Sequence, residues 1–235
     1  DKTSGLSVSH KVASLEAGTL YKFRIKSYVN VDGKRVYSEY SDVLNVRTLP
    51  KAMTGLTLGA RTDNSVSLKW DKNTSADGSV VEMFDGKEWK IIATKTNNTS
   101  TSHKIIGLKA ATAYKFRVRA YINDEDGRIY SVYNMVINEV TAPSDMKNFR
   151  STITSKTAIR FNWDKNTTAD GYSFEMIQNG KWTMVGSIID NSVTNYTQLE
   201  LTAGTDYRFR IRAYKTINGN TVWSDYSYVN ASTAK

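Results

Sequence analysis

A spacing of 93 residues between similar segments constrains this chain more than any other feature of its sequence. The tetrapeptide Tyr-Lys-Phe-Arg at 114–117 has counterparts at 21–24 and 207–210, and Trp-Asp-Lys-Asn-Thr at 70–74 recurs at 163–167. No insertion or deletion separates these matches. Because self-similarity at one fixed period is typical of repeated structural units, we expect tandem copies of one domain.

This frame divides the 235 residues into a first unit at 1–49, a second repeat at 50–142 and a third repeat at 143–235. The first unit aligns with the C-terminal part of the other two copies and has no counterpart of residues 50–93. At roughly 100 to 150 residues per domain, the length also fits two complete domains and a part.

Three interpretations of the first unit stay open. The chain is a fragment of a longer protein, a second polypeptide supplies the absent strands, or the unit is poorly ordered. In the second case Tyr21, Phe23 and Ile25 would form a strand-donor interface, because their inward side chains would otherwise have no facing sheet.

Apolar and cationic residues alternate within each copy. Residues 114–121 read Tyr-Lys-Phe-Arg-Val-Arg-Ala-Tyr, and residues 207–214 follow the same order. Alternation with period two predicts strands that bury one face. Asp-Gly and Asn-Gly pairs recur every 8 to 12 residues or so, which favours an all-β sandwich. We predict seven strands in the second repeat, near 54–60, 65–70, 79–84, 88–94, 102–107, 113–122 and 129–140, and three in the first unit, near 8–14, 20–29 and 35–48.

Two residue patterns carry a family resemblance. A Trp ends the second predicted strand of both complete repeats, and a Leu precedes a Tyr by six residues at the entry to the sixth strand of every copy, as in Leu15 and Tyr21. With these patterns the chain resembles the fibronectin type III family, and most closely the tandem modules of bacterial secreted and cell-surface proteins. The resemblance implies seven-stranded, Ig-like β-sandwiches, the first of them incomplete. It also implies a tyrosine corner, in which the Tyr hydroxyl bonds to the loop backbone. The core residues that it implies are Trp70, Leu108, Tyr114, Trp163, Leu201 and Tyr207.

One position departs from the family pattern. Ser79 stands where the third repeat has Tyr172 and where the family usually has an aromatic residue. We expect looser packing at this position and no change of fold.

The composition excludes several kinds of chemistry. The chain has no cysteine and two histidines, so disulfides, thiolate metal sites and cysteine catalysis are excluded. His10 and His103 occupy equivalent positions in successive copies and cannot share a site. The acidic loop at 123–127 lacks the ligand spacing of an EF-hand, and the polar residues after Trp70 and Trp163 fit turns. We therefore predict no enzyme, no metal site and no cofactor.

Two sets of side chains are candidates for ligand or partner contact. Cations line one face of the sixth strand, where they either pair with Glu82 and Glu175 on a solvated sheet or bind an anionic polymer. Aromatic residues open the last strand, where at least one ring per copy is expected to be exposed and able to stack on a sugar. The candidates are Arg117, Arg119, Arg210, Arg212, Tyr37, Tyr40, Tyr130, Tyr133, Trp223 and Tyr226.

The hypothesis that best fits these features is a non-catalytic array that spaces, displays or assembles a larger bacterial protein at the cell surface or outside the cell. The junctions at 47–51 and 140–144 contain no Gly/Ser tract, so we expect a semi-rigid arrangement whose partners are other modules of the parent protein. The alternatives are a module that binds glycan or anionic wall polymer, and a filament subunit completed by strand donation. The net charge of +9 favours anionic partners only weakly, and we expect neither nucleic-acid binding nor membrane insertion.

Overall fold

The structure, a computed structural model, describes residues 8–153 and 155–235. The described part of the chain contains β-strands and no α-helix, and all strand pairs are antiparallel. Residues 1–7 of the first unit lie outside it. The all-β fold predicted from the alternation is confirmed.

The second repeat is a sandwich of a three-stranded and a five-stranded sheet. The strands of this repeat are β5 (Thr57–Arg61), β6 (Ser65–Lys69), β7 (Gly78–Phe84), β8 (Trp89–Lys95), β9 (Ser102–Ile106), β10 (Ala113–Asp124), β11 (Gly127–Tyr130) and β12 (Ile137–Val140). The three-stranded sheet has the order β5-β6-β9. The five-stranded sheet has the order β11-β10-β7-β8, and β12 also pairs with β10.

The third repeat has the same two-sheet arrangement. Its strands are β13 (Arg150–Ile153), β14 (Ile159–Asn162), β15 (Gly171–Gln178), β16 (Lys181–Ile188), β17 (Asn195–Gln198), β18 (Asp206–Ile217), β19 (Asn220–Trp223) and β20 (Ser227–Ser232). The strand order is β13-β14-β17 in the three-stranded sheet. In the five-stranded sheet it is β16-β15-β18-β19, and β20 also pairs with β18.

Each complete repeat has its own hydrophobic core. In the second repeat Val66 and Leu68 of one sheet pack against Phe116 and Val118 of the other. The third repeat places Phe161 at the centre of an aromatic cluster, with the ring centroid of Phe209 at 4.5 Å. The alternation predicted this correctly, because every second residue of β10 and β18 points into the sandwich.

The implied core residues lie in or against these two clusters. Trp70, Trp163 and Leu201 are buried, and Leu108, Tyr114 and Tyr207 are half-buried and pack against the cores. A tyrosine corner is present in all three copies, since a backbone N–H five residues before each Tyr donates to its hydroxyl at 2.8 Å. The donors are Glu16, Lys109 and Thr202, and the acceptors are Tyr21, Tyr114 and Tyr207.

The prediction of a single last strand at 129–140 is wrong. The chain leaves the sheet after Tyr130 and re-enters it at Ile137, and the third repeat has the same interruption between Trp223 and Ser227. The cause is a serine that follows the aromatic residue. Ser131 Oγ accepts a hydrogen bond from the Ala120 N–H at 3.1 Å, so a side chain takes the place of a backbone carbonyl in the ladder.

The first unit consists of two two-stranded sheets, β1 (Leu20–Phe23) with β4 (Leu44–Arg47) and β2 (Tyr28–Val31) with β3 (Lys34–Tyr37). No strand forms at 8–14, and the strands expected at 20–29 and 35–48 are each divided. Residues 24–27 bond to the last segment of their own unit through the Ile25–Ser41 and Ser27–Ser38 contacts, whereas their counterparts 117–120 also pair with β7. A one-sided segment of this kind is less regular because half of its backbone groups have no ladder partner.

Packing around Ser79 differs from that around Tyr172. The Tyr172 hydroxyl accepts from the Asn166 N–H at 3.0 Å and donates to the Asn191 carbonyl at 2.9 Å. Ser79 is buried, its Oγ has no hydrogen-bond partner, and a small cavity lined by Trp70 and Asn98 lies beside it. These features agree with the looser packing expected from the sequence.

Candidate functional site: a stack of rings and cations

The serine that interrupts the last strand also positions the aromatic candidates. After Ser224 the chain bulges away from β18, and Ser224 Oγ accepts from the Ala213 N–H at 3.0 Å. Trp223 and Tyr226 on either side of this bulge lie over the same cation of β18, Arg212. A regular strand would place residues 223 and 226 on opposite faces, and the bulge brings both rings to the same face.

In the third repeat the rings and cations form a continuous stack. Arg212 Cζ lies 4.1 Å from the Trp223 ring centroid and 4.5 Å from that of Tyr226. Arg210 Cζ lies 3.7 Å from Tyr226 and 4.3 Å from Trp182. All four distances are within the range of cation–π attraction. We call this alternation of three rings and two cations the ring–cation stack.

The second repeat has the same stack at the equivalent positions. Arg119 Cζ lies 3.9 Å from Tyr130 and 5.1 Å from Tyr133, and Arg117 Cζ lies 3.4 Å from Tyr133 and 4.0 Å from Trp89. The interleaving of Arg with rings from a different strand explains why these cations are only partly exposed.

The first unit contains part of the stack. Lys26 Nζ lies 4.0 Å from the ring of Tyr37 and 4.8 Å from that of Tyr40, and Arg24 Cζ lies 3.7 Å from Tyr40. Tyr37 and Tyr40 are 47% and 46% exposed. The described residues of this unit contribute two rings and two cations.

A buried glutamate closes the stack in both complete repeats. Glu82 is 2% exposed and accepts from Arg117 Nε at 2.6 Å, from Arg119 Nη2 at 2.9 Å and from the Tyr133 hydroxyl at 2.9 Å. In the third repeat Glu175 accepts from Arg210 Nε at 2.8 Å and from the Tyr226 hydroxyl at 2.7 Å. The predicted ion pairs are therefore formed, but under a layer of rings and not on a solvated sheet.

Burial and hydrogen bonding shift the pKa values of the stack's carboxyl and hydroxyl groups. Burial opposes ionisation of Glu175, but hydrogen bonds from Tyr226 and Arg210 outweigh it and hold the pKa of the carboxyl below its ordinary value. Burial and the nearby carboxylate raise the pKa of the Tyr226 hydroxyl. Burial likewise raises the pKa of Tyr133, and Glu82 adds to that shift. The ring hydroxyls therefore stay protonated and donate to the carboxylates at neutral pH.

Sequence reasoning missed the Trp that ends each complete stack and a tyrosine ring beside one of them. Trp89 and Trp182 end the stack from strands β8 and β16, and Tyr228 lies 5.8 Å from Trp182 and is 58% exposed. The two Trp residues are 93 positions apart, which was a usable signal, since an aromatic residue at the same position of both repeats suggests a shared role.

The remaining sequence candidates make local structural contacts. Asn73 Oδ1 accepts from the backbone N–H and the hydroxyl of Ser75, and Asp71 accepts from Thr54 at 2.9 Å, so these polar residues shape a turn as expected. In the loop at 123–127, Asp124 pairs with Arg47 of the first unit at 3.2 Å. His103 is half-buried in β9, and burial lowers the pKa of its imidazole.

Over residues 8–153 and 155–235, no group of three or more His, Asp or Glu side chains is arranged to hold a metal ion. The same residues contain no helix long and apolar enough to cross a membrane.

Comparison with known proteins identifies the family. The family model for the fibronectin type III domain matches residues 51–132 and 141–230, which is most of the chain. The chain belongs to the fibronectin type III family. Its tandem repeats, two-sheet sandwiches and tyrosine corners are all features that this membership accounts for.

Relatives include two bacterial enzymes that act on polysaccharides and one animal phosphatase. Exoglucanase B of Cellulomonas fimi is 26% identical over 217 residues, covering 85% of this chain and 19% of that protein. Chitinase A1 of Niallia circulans is 31% identical over 144 residues, covering 57% of this chain and 19% of that protein. Human phosphatidylinositol phosphatase PTPRQ is 24% identical over 169 residues, 72% of this chain and 7% of that protein. The chain thus spans a small part of each relative.

A solved two-domain fibronectin type III segment from chicken tenascin also resembles the chain, with a TM-score of 0.48 and 19% identity. It covers 78% of this chain, and all of the tenascin segment is included in the match.

Proposed function

We propose that this chain is a structural array that spaces or displays other parts of a larger extracellular bacterial protein. The single observation that carries the proposal is the closure of the ring–cation stack. Both arginines of each complete stack lie against rings and a buried glutamate, so the groups that looked available for a ligand already hold the interrupted last strand against the sheet. The resemblance to segments of bacterial glycan-hydrolysing enzymes supports an extracellular location.

A spacer must keep its ends at a defined separation. Because the chain has no cysteine, labels can be placed on it without removing a native thiol. We suggest donor and acceptor dyes at Glu88→Cys and Lys181→Cys, which are exposed and equivalent positions in the two complete repeats. A spacer is expected to show one narrow distribution of energy-transfer efficiency in single-molecule measurements. A broad or multiple distribution would contradict the proposal.

A second candidate function is glycan binding by the third repeat. It is favoured by one observation: Tyr228 is 58% exposed and borders Trp182, so two rings that end the stack offer faces to a sugar. The test is retention of the chain on insoluble glucan and on chitin, with Tyr228→Ala as the variant and Tyr40→Ala as a matched exposed tyrosine. Saturable retention that only Tyr228→Ala abolishes would support binding, and retention no greater than that of an unrelated protein favours the spacer.

A further inference from the structure

An ion pair joins the first unit to the second repeat. Arg47 Nε donates to Asp124 Oδ2 at 3.2 Å, and Arg47 Nη1 donates to the Gly18 carbonyl at 3.2 Å. The cation is therefore fixed within its own unit while it reaches the β10–β11 turn of the next. We call this joint the first junction, and the joint between the second and third repeats the second junction.

Gly18 brings the two sides of the first junction close together. A Cβ at this position would collide with the Ser75 carbonyl oxygen and would lie 2.9 Å from Ile122 Cδ1. Ile122 belongs to neither core cluster and is nonetheless 5% exposed, because the first unit lies against it. The N-terminal end of the second repeat thus fits a preceding module that carries glycine and arginine at these two places.

All four positions differ in chemistry at the second junction. Counted by the period of 93 residues, the counterparts of Gly18, Arg47, Ile122 and Asp124 are Ala111, Val140, Lys215 and Ile217. An arginine and an aspartate are replaced together by two aliphatic residues, so the paired positions keep matching chemistry on both sides of each joint.

The burial of Val140 indicates that the second junction is apolar. In β12 Ile137 pairs with Phe116, which points into the sandwich, so Val140, three residues further on, faces outward. Val140 is nevertheless 9% exposed and belongs to neither core cluster. It is therefore covered from outside its own core, close to where the third repeat begins. Ile217 is partly buried and ends β18, at the place where β10 carries Asp124.

We propose that the N-terminal end of each complete repeat is an interaction surface that selects the module before it. The second repeat takes a module with a cation at the position of Arg47, and the third takes one with an aliphatic side chain at the position of Val140. A crossed junction would set Arg47 against Ile217 or Asp124 against Val140, and either arrangement leaves a charge without a partner. The inference goes beyond the spacer proposal, because it concerns the order of the copies and not the separation of their ends.

The second junction is tested with dyes at Glu88→Cys and Lys181→Cys. Adding Ile217→Asp is expected to raise the open population in single-molecule energy transfer at least about tenfold, because the carboxylate meets an aliphatic surface. Adding Val140→Arg to that variant recreates the chemistry of the first junction and should restore the narrow distribution. Asn138→Arg, at an exposed position of the same strand, is the control and should not restore it.

The first junction is tested in the opposite direction, with dyes at Lys34→Cys and Glu88→Cys. Asp124→Ile should open it, and Arg47→Val in the same chain should close it again. Asp126→Ile removes an exposed carboxylate from the same turn and should have no effect. Raising the salt concentration should loosen the unaltered first junction and leave the second unchanged, because only the first depends on an ion pair.

The proposal is overturned at either junction if the single substitution leaves the distribution narrow or if the second substitution does not restore it. Hydrogen exchange within the two cores should stay the same in every variant. Faster exchange there would show that these residues stabilise their own repeat, which would also overturn the proposal. A broad distribution in the unaltered chain with dyes at 88 and 181 contradicts only the spacer proposal, since the first junction has its own labels.

Discussion

Among single residues, Ser79 is the clearest weak point of the second repeat. The third repeat shows what this position can hold, since the Tyr172 hydroxyl bonds to Asn166 and Asn191. Both partners are kept in the second repeat as Asn73 and Asn98. A tyrosine hydroxyl at position 79 would thus meet the backbone N–H of Asn73 and the carbonyl of Asn98. The buried Ser79 hydroxyl that it replaces has no hydrogen-bond partner.

We predict that Ser79→Tyr raises the free energy of unfolding of the second repeat by about 1–2 kcal/mol, through apolar burial and two regained hydrogen bonds. Chemical denaturation followed by hydrogen exchange of each repeat measures the change. Ser79→Phe is the matched control and should gain less, because it lacks the hydroxyl. A loss of stability in both variants would show that the site cannot admit a ring.

Acid sensitivity is a second property of one residue. The pKa of Glu175 is held below its ordinary value of 4.5 in the folded chain. The unfolded chain then binds more protons than the folded one as pH falls, so the stabilisation is complete above pH 4.5 and is lost as pH falls through the folded pKa.

We predict that Glu175→Gln lowers the stability of the third repeat at neutral pH by about 2 kcal/mol, because Arg210 loses a charged hydrogen-bond acceptor. The same variant should flatten the decline of stability below pH 4.5. Urea denaturation across a pH series is the measurement. Glu200→Gln, which removes an exposed carboxylate of the same repeat, should leave both the neutral stability and the slope almost unchanged.

At the scale of elements, the interrupted last strand depends on one hydroxyl per copy. We predict that Ser131→Ala costs about 1–3 kcal/mol, because the buried Ala120 N–H loses its acceptor. Exchange of that amide should accelerate, and Tyr133 should loosen over Arg117. Val132→Ala, one residue further on and 61% exposed, is the control and should have little effect. Equal effects of the two variants would mean that the hydroxyl is not what holds this segment.

The elements also show how far sequence reasoning reaches. Period-two alternation placed Phe116 and Val118 inside and Arg117 and Arg119 outside, because β10 is one continuous strand that pairs with β7 over these residues. Alternation did not place Tyr130 and Tyr133 on one face, because the side-chain hydrogen bond at Ser131 interrupts the strand between them. Nor can alternation show that Trp89 meets Arg117, because that contact crosses between strands distant in sequence. The closed stack therefore emerged only from the structure.

At the scale of the whole molecule, the two complete repeats are expected to be independent. The core of the second repeat contains residues from 53 to 137 and that of the third from 146 to 231, with none shared. We predict that Phe161→Ala costs the third repeat about 3–5 kcal/mol and leaves exchange in the second repeat unchanged. Combined with Val66→Ala, the two losses should add within about 0.5 kcal/mol. A larger coupling would reveal energetic communication across the junction.

Separate cores have a genetic consequence. Since neither core cluster includes a residue of the other repeat, we expect gain or loss of one 93-residue copy to leave the remaining copies intact. Recombination between the similar stretches of the gene can therefore change copy number without producing a misfolded intermediate length. Under the proposed spacer role, the length of the array would then change in whole increments of one copy.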